Sequence, residues 1–168
     1  FYNIPINTYF SLDLDGISAL NDSVGGVDVV SPETIGEFVE GESYHLVGQQ
    51  AESFVRTRDT SKTDSNNMRM QRQKVYIQSF MNTVLQQTKK DLTTPIDLFN
   101  ASAPYSCTNL NPSKVSYLAQ QAVLGGMNGI DMVSVPGQVA MGSKYAEFNV
   151  SEAEFYQLFL SIYYTKIE

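Results

Sequence analysis

Arg69-Met70-Gln71-Arg72-Gln73-Lys74-Val75-Tyr76-Ile77-Gln78-Ser79-Phe80-Met81-Asn82-Thr83-Val84-Leu85 is the stretch on which the fold reading turns. Ile77, Phe80, Met81, Val84 and Leu85 recur at i, i+3, i+4, i+7 and i+8, the period of a helix with one apolar face. Asn66 or Asn67 can cap its start. The first two turns carry polar donors instead. Arg69 and Gln73 are four apart and Arg69 and Arg72 three apart, so the three can share a face. Gln73 stands one turn before Ile77, in line with the apolar stripe. The spacing therefore predicts a helix with donors at its beginning and greasy side chains further along, suited to a ligand with an anionic head and an apolar tail.

The charge pattern points to the same place. All four arginines lie between Arg56 and Arg72. Residues 56–74 hold six cations against Asp59 and Asp64, so they carry +4, while the remainder of a −7 chain carries −11. Guanidinium is always charged, and its planar fork binds phosphate oxygens in pairs. Arg56-Thr57-Arg58 puts two such forks on one side if it is extended. A helix start adds free N–H groups and partial positive charge. The alternative is a solvated basic patch whose ion pairs contribute little. Asp64 is a candidate general base or metal ligand, Asp59 a lesser one.

Working outward, the chain alternates strand and helix signals, which implies an α/β fold, layered α-β-α with a central mixed sheet. Residues 8–12 read as a strand. A helix over 15–23 follows, with Ile17, Leu20 and Val24 on one face and Gly25-Gly26 as its stop. Val27 to Val30 is a strand, Glu33 to Tyr44 a polar surface connection, and Gln49 to Phe54 a helix that delivers Arg56 and Arg58. Ser113 can cap a helix reaching Leu124. Strands are expected over Ile130–Val135 and Tyr145–Val150. Ser151 and Glu154 have capping-box spacing, and Phe155, Leu158, Phe159, Ile162 and Tyr163 have core spacing. No linker divides the 168 residues, which read as one domain.

Composition excludes several classes. With 42% apolar and 17% charged residues, this is ordinary globular composition. The acidic balance outside one segment argues against nucleic acid. No apolar run approaches a membrane span, and residues 1–168 are expected to hold no signal peptide. Cys107 is the single cysteine and reads as a partly buried small residue; with His45 as the single histidine, a structural zinc site is excluded. The opening at Phe1-Tyr2-Asn3 lacks an initiator methionine, as expected of part of a longer protein.

Residues 41–73 resemble the LytR-CpsA-Psr family of bacterial cell-wall enzymes. The matching text is Leu46-Val47-Gly48-Gln49-Gln50-Ala51, Phe54-Val55-Arg56-Thr57-Arg58 and Arg69-Met70-Gln71-Arg72-Gln73. The family pattern is L-x-G-x-x-A-x-x-[FY]-x-R-x-R followed by D-x-x-R-x-x-R-Q. Gly25-Gly26-Val27-Asp28-Val29 looks like its GGVxV turn, and Pro136-Gly137 with the last helix looks like its C-terminal end. The resemblance implies a phosphotransferase on the extracytoplasmic face of a bacterial, Gram-positive membrane. Such an enzyme moves an anionic glycopolymer (teichoic acid or capsular polysaccharide) from a polyprenyl-pyrophosphate carrier to peptidoglycan. Carried over by position, Arg56, Arg58, Arg69, Arg72 and Gln73 would bind the pyrophosphate. Where the family has its acid this chain has Asn66, leaving Asp64, two positions earlier, as the candidate catalytic base. Magnesium would assist, its aspartates expected upstream of Phe1 together with further strands, arginines and the membrane-anchoring helix, so that residues 1–168 read as an N-terminally truncated catalytic domain. The rival is a non-catalytic polyprenyl-phosphate-binding or regulatory module using the same pocket.

Overall fold

The computed structural model describes residues 5–61, 65–130, 132–143 and 146–164. They fall into two compact units, Phe1–Asp131 and Met132–Glu168. The first runs β1 (Phe10–Leu12), α1 (Asp15–Ser23), β2 (Val27–Val30), β3 (Ser43–Leu46), α2 (Gln49–Arg56), α3 (Ser65–Lys90), α4 (Thr94–Ser102), a single 3-10 turn, β4 (Ser106–Thr108) and α5 (Pro112–Leu124). The second holds β5 (Gly137–Met141), β6 (Ala146–Val150) and α6 (Glu152–Tyr163).

The α/β class holds. Where strand–helix alternation suggests one central mixed sheet, the described strands form three separate antiparallel ladders, β1–β4, β2–β3 and β5–β6. Alternation in sequence tells which segments are extended, not which of them pair. The β1–β4 register sets Phe10 opposite Thr108, a pairing of distant segments that no local pattern announces.

Helix α1 and strand β2 keep their expected bounds, because the Gly25-Gly26 turn between them demands glycine. Both have positive φ, 80° and 95°. A Cβ on Gly26 would collide with the His45 ring and the Leu46 carbonyl. Strand β3 and the turn before it were not legible. The connection from Glu33 to Tyr44 is not simply polar surface, because Phe38 within it is buried to 2%. Phe38 meets Phe54 edge to face at 5.0 Å and Tyr44 at 5.2 Å. Around this aromatic group close Val24, Val27, Val29, Leu46, Ala51, Val55 and Tyr76, the core of the first unit. Burying a side chain of this size stabilises by about 1.5–3 kcal/mol.

Several capping expectations are corrected. Helix α3 begins at Ser65, so Asn66 and Asn67 lie inside it. Asn111, not Ser113, caps α5, its side chain accepting from the Lys114 amide at 2.9 Å. Ser151 makes no side-chain cap bond, so the Ser151–Glu154 box does not form. The described residues of 130–135 are not a strand. Helix α4 was unread, although Pro95 at its start suits a first helical turn. Cys107 is exposed rather than partly buried. In the second unit Ile162 and Tyr163 are 52% and 60% exposed, so their core spacing does not make them core.

Candidate functional site

The arginine motifs meet where α2 ends and α3 begins. Helix α2 is set from its N-terminus. Gly48, at φ 50°, gives its amide to Asp22 Oδ1 at 2.7 Å. Ala51 and Phe54 are fully buried beneath it, which explains why a small residue and an aromatic stand at these motif positions. The helix then exits at Thr57, whose backbone is extended (φ −55°, ψ 137°). Arg56 is therefore the last helical residue rather than part of an extended tripeptide with Arg58.

A helix end leaves its last four carbonyls without partners. Here Ser53, Phe54 and Val55 of these four have partners, and side chains supply most of them. Ser53 O accepts from both the Thr57 amide at 3.0 Å and Thr57 Oγ1 at 2.7 Å. Arg72 Nη1 donates to Phe54 O and Arg72 Nη2 to Thr57 O. Gln73 Nε2 donates to Val55 O at 3.2 Å. Arg72 Nε completes the set with Glu33 Oε1 at 2.7 Å. The Arg72 side chain is 0% and the Glu33 side chain 9% exposed. Removing one partner of such a buried pair costs about 3–5 kcal/mol, since the other charge is left alone.

This changes the reading of Arg72. The sequence groups it with the anion ligands, but its guanidinium is engaged by two carbonyls and a carboxylate in the interior. Spacing placed it near Arg69 but could not show that it points at a neighbouring helix end. Glu33 was missed altogether. It sits in a segment read as surface, 39 residues before its partner, with no local signal.

The other arginines are differently held. Arg56 Nη1 donates to Glu52 Oε1 at 2.7 Å along the surface of α2, an i,i+4 pair worth little. Arg58 Nε donates to Ser65 Oγ at 3.0 Å, reaching the first residue of α3. Arg69 Nη2 donates to Asn66 Oδ1 at 2.8 Å. Its Nε is buried and finds no partner among the described residues. Asp64 lies outside the described residues. Among the described residues no three of His, Cys, Asp and Glu come together to hold a metal ion.

Next to Gln73 lies an apolar cavity of about 260 Å³. Its walls include Ile17 and Leu20 of α1, Val55 of α2, and Ile77 and Phe80 of α3, with Gln73 and Tyr76 as the polar-tipped members. Ile77 and Phe80, of the apolar stripe that follows the polar first turns of α3, both line this space, Ile77 with 44% exposure. Tyr76 donates to Asn21 Oδ1 at 3.2 Å, and Asn21 Nδ2 to Leu46 O at 2.8 Å. Burial, helped by the charge of Asp22, pushes the Tyr76 phenol well above its ordinary range, so it stays neutral.

An α/β unit whose helix junction is clamped by side chains beside an apolar cavity is the class these observations define. The LytR_cpsA_psr family profile matches residues 1–160, and the chain belongs to that family. A polyisoprenyl-teichoic acid–peptidoglycan teichoic acid transferase TagU of Bacillus cereus is 28% identical over 144 residues, 82% of this chain and 45% of that protein. One of the same name from Bacillus anthracis is 39% identical over 62 residues, 34% of this chain and 20% of that protein. The chain thus spans less than half the length of these curated relatives. The crystal structure of B. subtilis TagV shares the fold, with a TM-score of 0.69 at 21% identity over 97% of this chain and 66% of that one.

Proposed function

We propose that this chain serves the transfer of an anionic cell-wall glycopolymer from a polyprenyl-pyrophosphate carrier to peptidoglycan, at the extracytoplasmic face of the cell envelope. Family membership and the likeness to teichoic acid transferases support the transferase class. The carrying observation is geometric. Gln73 stands in the wall of an apolar cavity, and Arg69 lies one helical turn before it on the same face. Arg69, with Arg58 at the α3 start, would hold the pyrophosphate while Ile77 and Phe80 take the first part of the lipid. Fixed cations beside the transferring group lower its barrier without reorganising during the reaction.

Magnesium is expected from the family and would neutralise charge at the transferring phosphate. The roles assigned here are confined to binding and orientation. Asp64 is proposed as the base on its sequence position alone. No helix among the described residues is long and apolar enough to cross a membrane. Membrane association would depend on an anchoring helix outside those residues.

The test is incubation with a polyprenyl pyrophosphate and magnesium, following both binding and phosphate release. Binding that depends on Arg58 and Arg69, with turnover, supports the transferase. Binding without turnover supports a non-catalytic polyprenyl-phosphate-binding module. No binding of a polyprenyl pyrophosphate contradicts both.

A further inference from the structure

Arg72 is the largest fully buried side chain of the described residues. It joins three segments: the connection that carries Glu33, the exit of α2 and the second turn of α3. The two carbonyls it grips flank the point where the chain turns out of α2. Thr57, one of them, is the residue between Arg56 and Arg58. We propose that Arg72, with Glu33 as counter-ion, is a positioning residue. It fixes the Thr57 carbonyl, and through it the direction in which Arg58 leaves α2 toward Ser65 and the start of α3. The proposal rests on the reading of this junction as a pyrophosphate site.

The chemistry explains why arginine is needed. Two carbonyls and a carboxylate must each receive an N–H in one plane. A guanidinium presents donors on both edges in a fixed fork, whereas an ammonium is a point charge whose donors rotate freely. The carboxylate of Glu33 balances the charge, so the pair as a whole adds little field at the anion site. Its influence on an anion is therefore geometric. A misplacement of about 1 Å at such a site can cost on the order of 100-fold.

That distinction sets the test. Arg72→Lys keeps the charge and loses the fork. Arg72→Met/Glu33→Met removes both buried charges, whereas Arg72→Met alone leaves Glu33 without its partner. Each is titrated with farnesyl pyrophosphate well below its melting temperature, and hydrogen exchange is followed at the amides of Thr57 and Arg58. Val29→Ala, a destabilised core variant in β2, is the control. The expected result is a 10- to 100-fold loss of affinity in both Arg72 variants, about tenfold faster exchange at Thr57 and Arg58, and wild-type affinity in Val29→Ala. Wild-type affinity in Arg72→Lys, or unchanged exchange at Thr57 and Arg58 in both variants, overturns the proposal. If the wild-type protein does not bind farnesyl pyrophosphate, the pyrophosphate reading fails. The exchange data still decide whether Arg72 holds the α2 exit.

Discussion

Between Gly16 and Ser102 the chain packs a core; from Ala103 to Tyr164 none of the described residues is buried. Both regions are rich in apolar residues, and both show helices of amphipathic spacing. In the first, α1, α2 and α3 close on Phe38, Phe54 and Leu46. In the second unit, α6 makes ring contacts within itself, Phe159 with Phe155 at 6.5 Å and with Tyr163 at 4.7 Å, and Ile162 stays half exposed. Spacing says which side chains share a face. It does not say that anything covers that face. The clamped junction, the cavity and both arginine motifs all lie in the packed region, so the proposed site and the stability of the fold share the same residues there.

The largest difference should appear in stability. Phe54→Ala removes a fully buried ring that abuts Phe38 and should cost about 3–5 kcal/mol in urea unfolding. Ile162→Ser should stay within about 0.5 kcal/mol, as exposed substitutions do. Equal losses at the two positions would erase the contrast drawn between the regions.

A second test separates the arginines. Arg58→Ala and Arg69→Ala each remove a charge-assisted contact of about 1.5–3 kcal/mol from a bound pyrophosphate. Farnesyl pyrophosphate affinity should therefore fall roughly 10- to 150-fold, with the melting temperature nearly unchanged. Arg56→Ala, whose side chain lies along α2 against Glu52, should change affinity least of the three. A lowered melting temperature with unchanged affinity in Arg58→Ala or Arg69→Ala would make those residues structural.

The smallest effect concerns His45, on the surface of the packed region. Its Nδ1 lies 2.7 Å from Asp28 Oδ1 and its Nε2 3.1 Å from the Gly25 carbonyl. Both partners are acceptors, so both nitrogens bond together only in the imidazolium. The Asp28 hydrogen bond, foremost, holds the ring above its usual value near 6.5. Its stabilisation is fully present below the unfolded-state value and is lost as pH rises through the raised folded value. An NMR titration of the ring should show a midpoint above that of an unfolded control, and Asp28→Asn should lower it. A midpoint unmoved by Asp28→Asn would refute the assignment.

Much of this architecture was legible where one residue type has one local task. Gly25-Gly26 marked the α1 stop and the start of β2, and the Arg56 and Arg69 motifs marked the two helices of the site. What was not legible depends on distant partners. Ser43 to Leu46 is a strand because it pairs with β2, not because its own residues are strong strand formers. Phe38 is core because Phe54 covers it. Arg69 and Arg72 look alike in sequence, and only the position of the α2 carbonyls separates Arg72, which holds the junction, from Arg69, which reaches Asn66.

The central claim is that one site joins a cationic head region to an apolar cavity. Calorimetric titration of farnesyl pyrophosphate and of inorganic pyrophosphate into wild-type protein and Arg69→Ala tests it directly. The account predicts that the farnesyl ligand binds more tightly than pyrophosphate, and that Arg69→Ala weakens both by a similar factor. Equal affinity for the two ligands, or affinity for the farnesyl ligand untouched by Arg69→Ala, would contradict it.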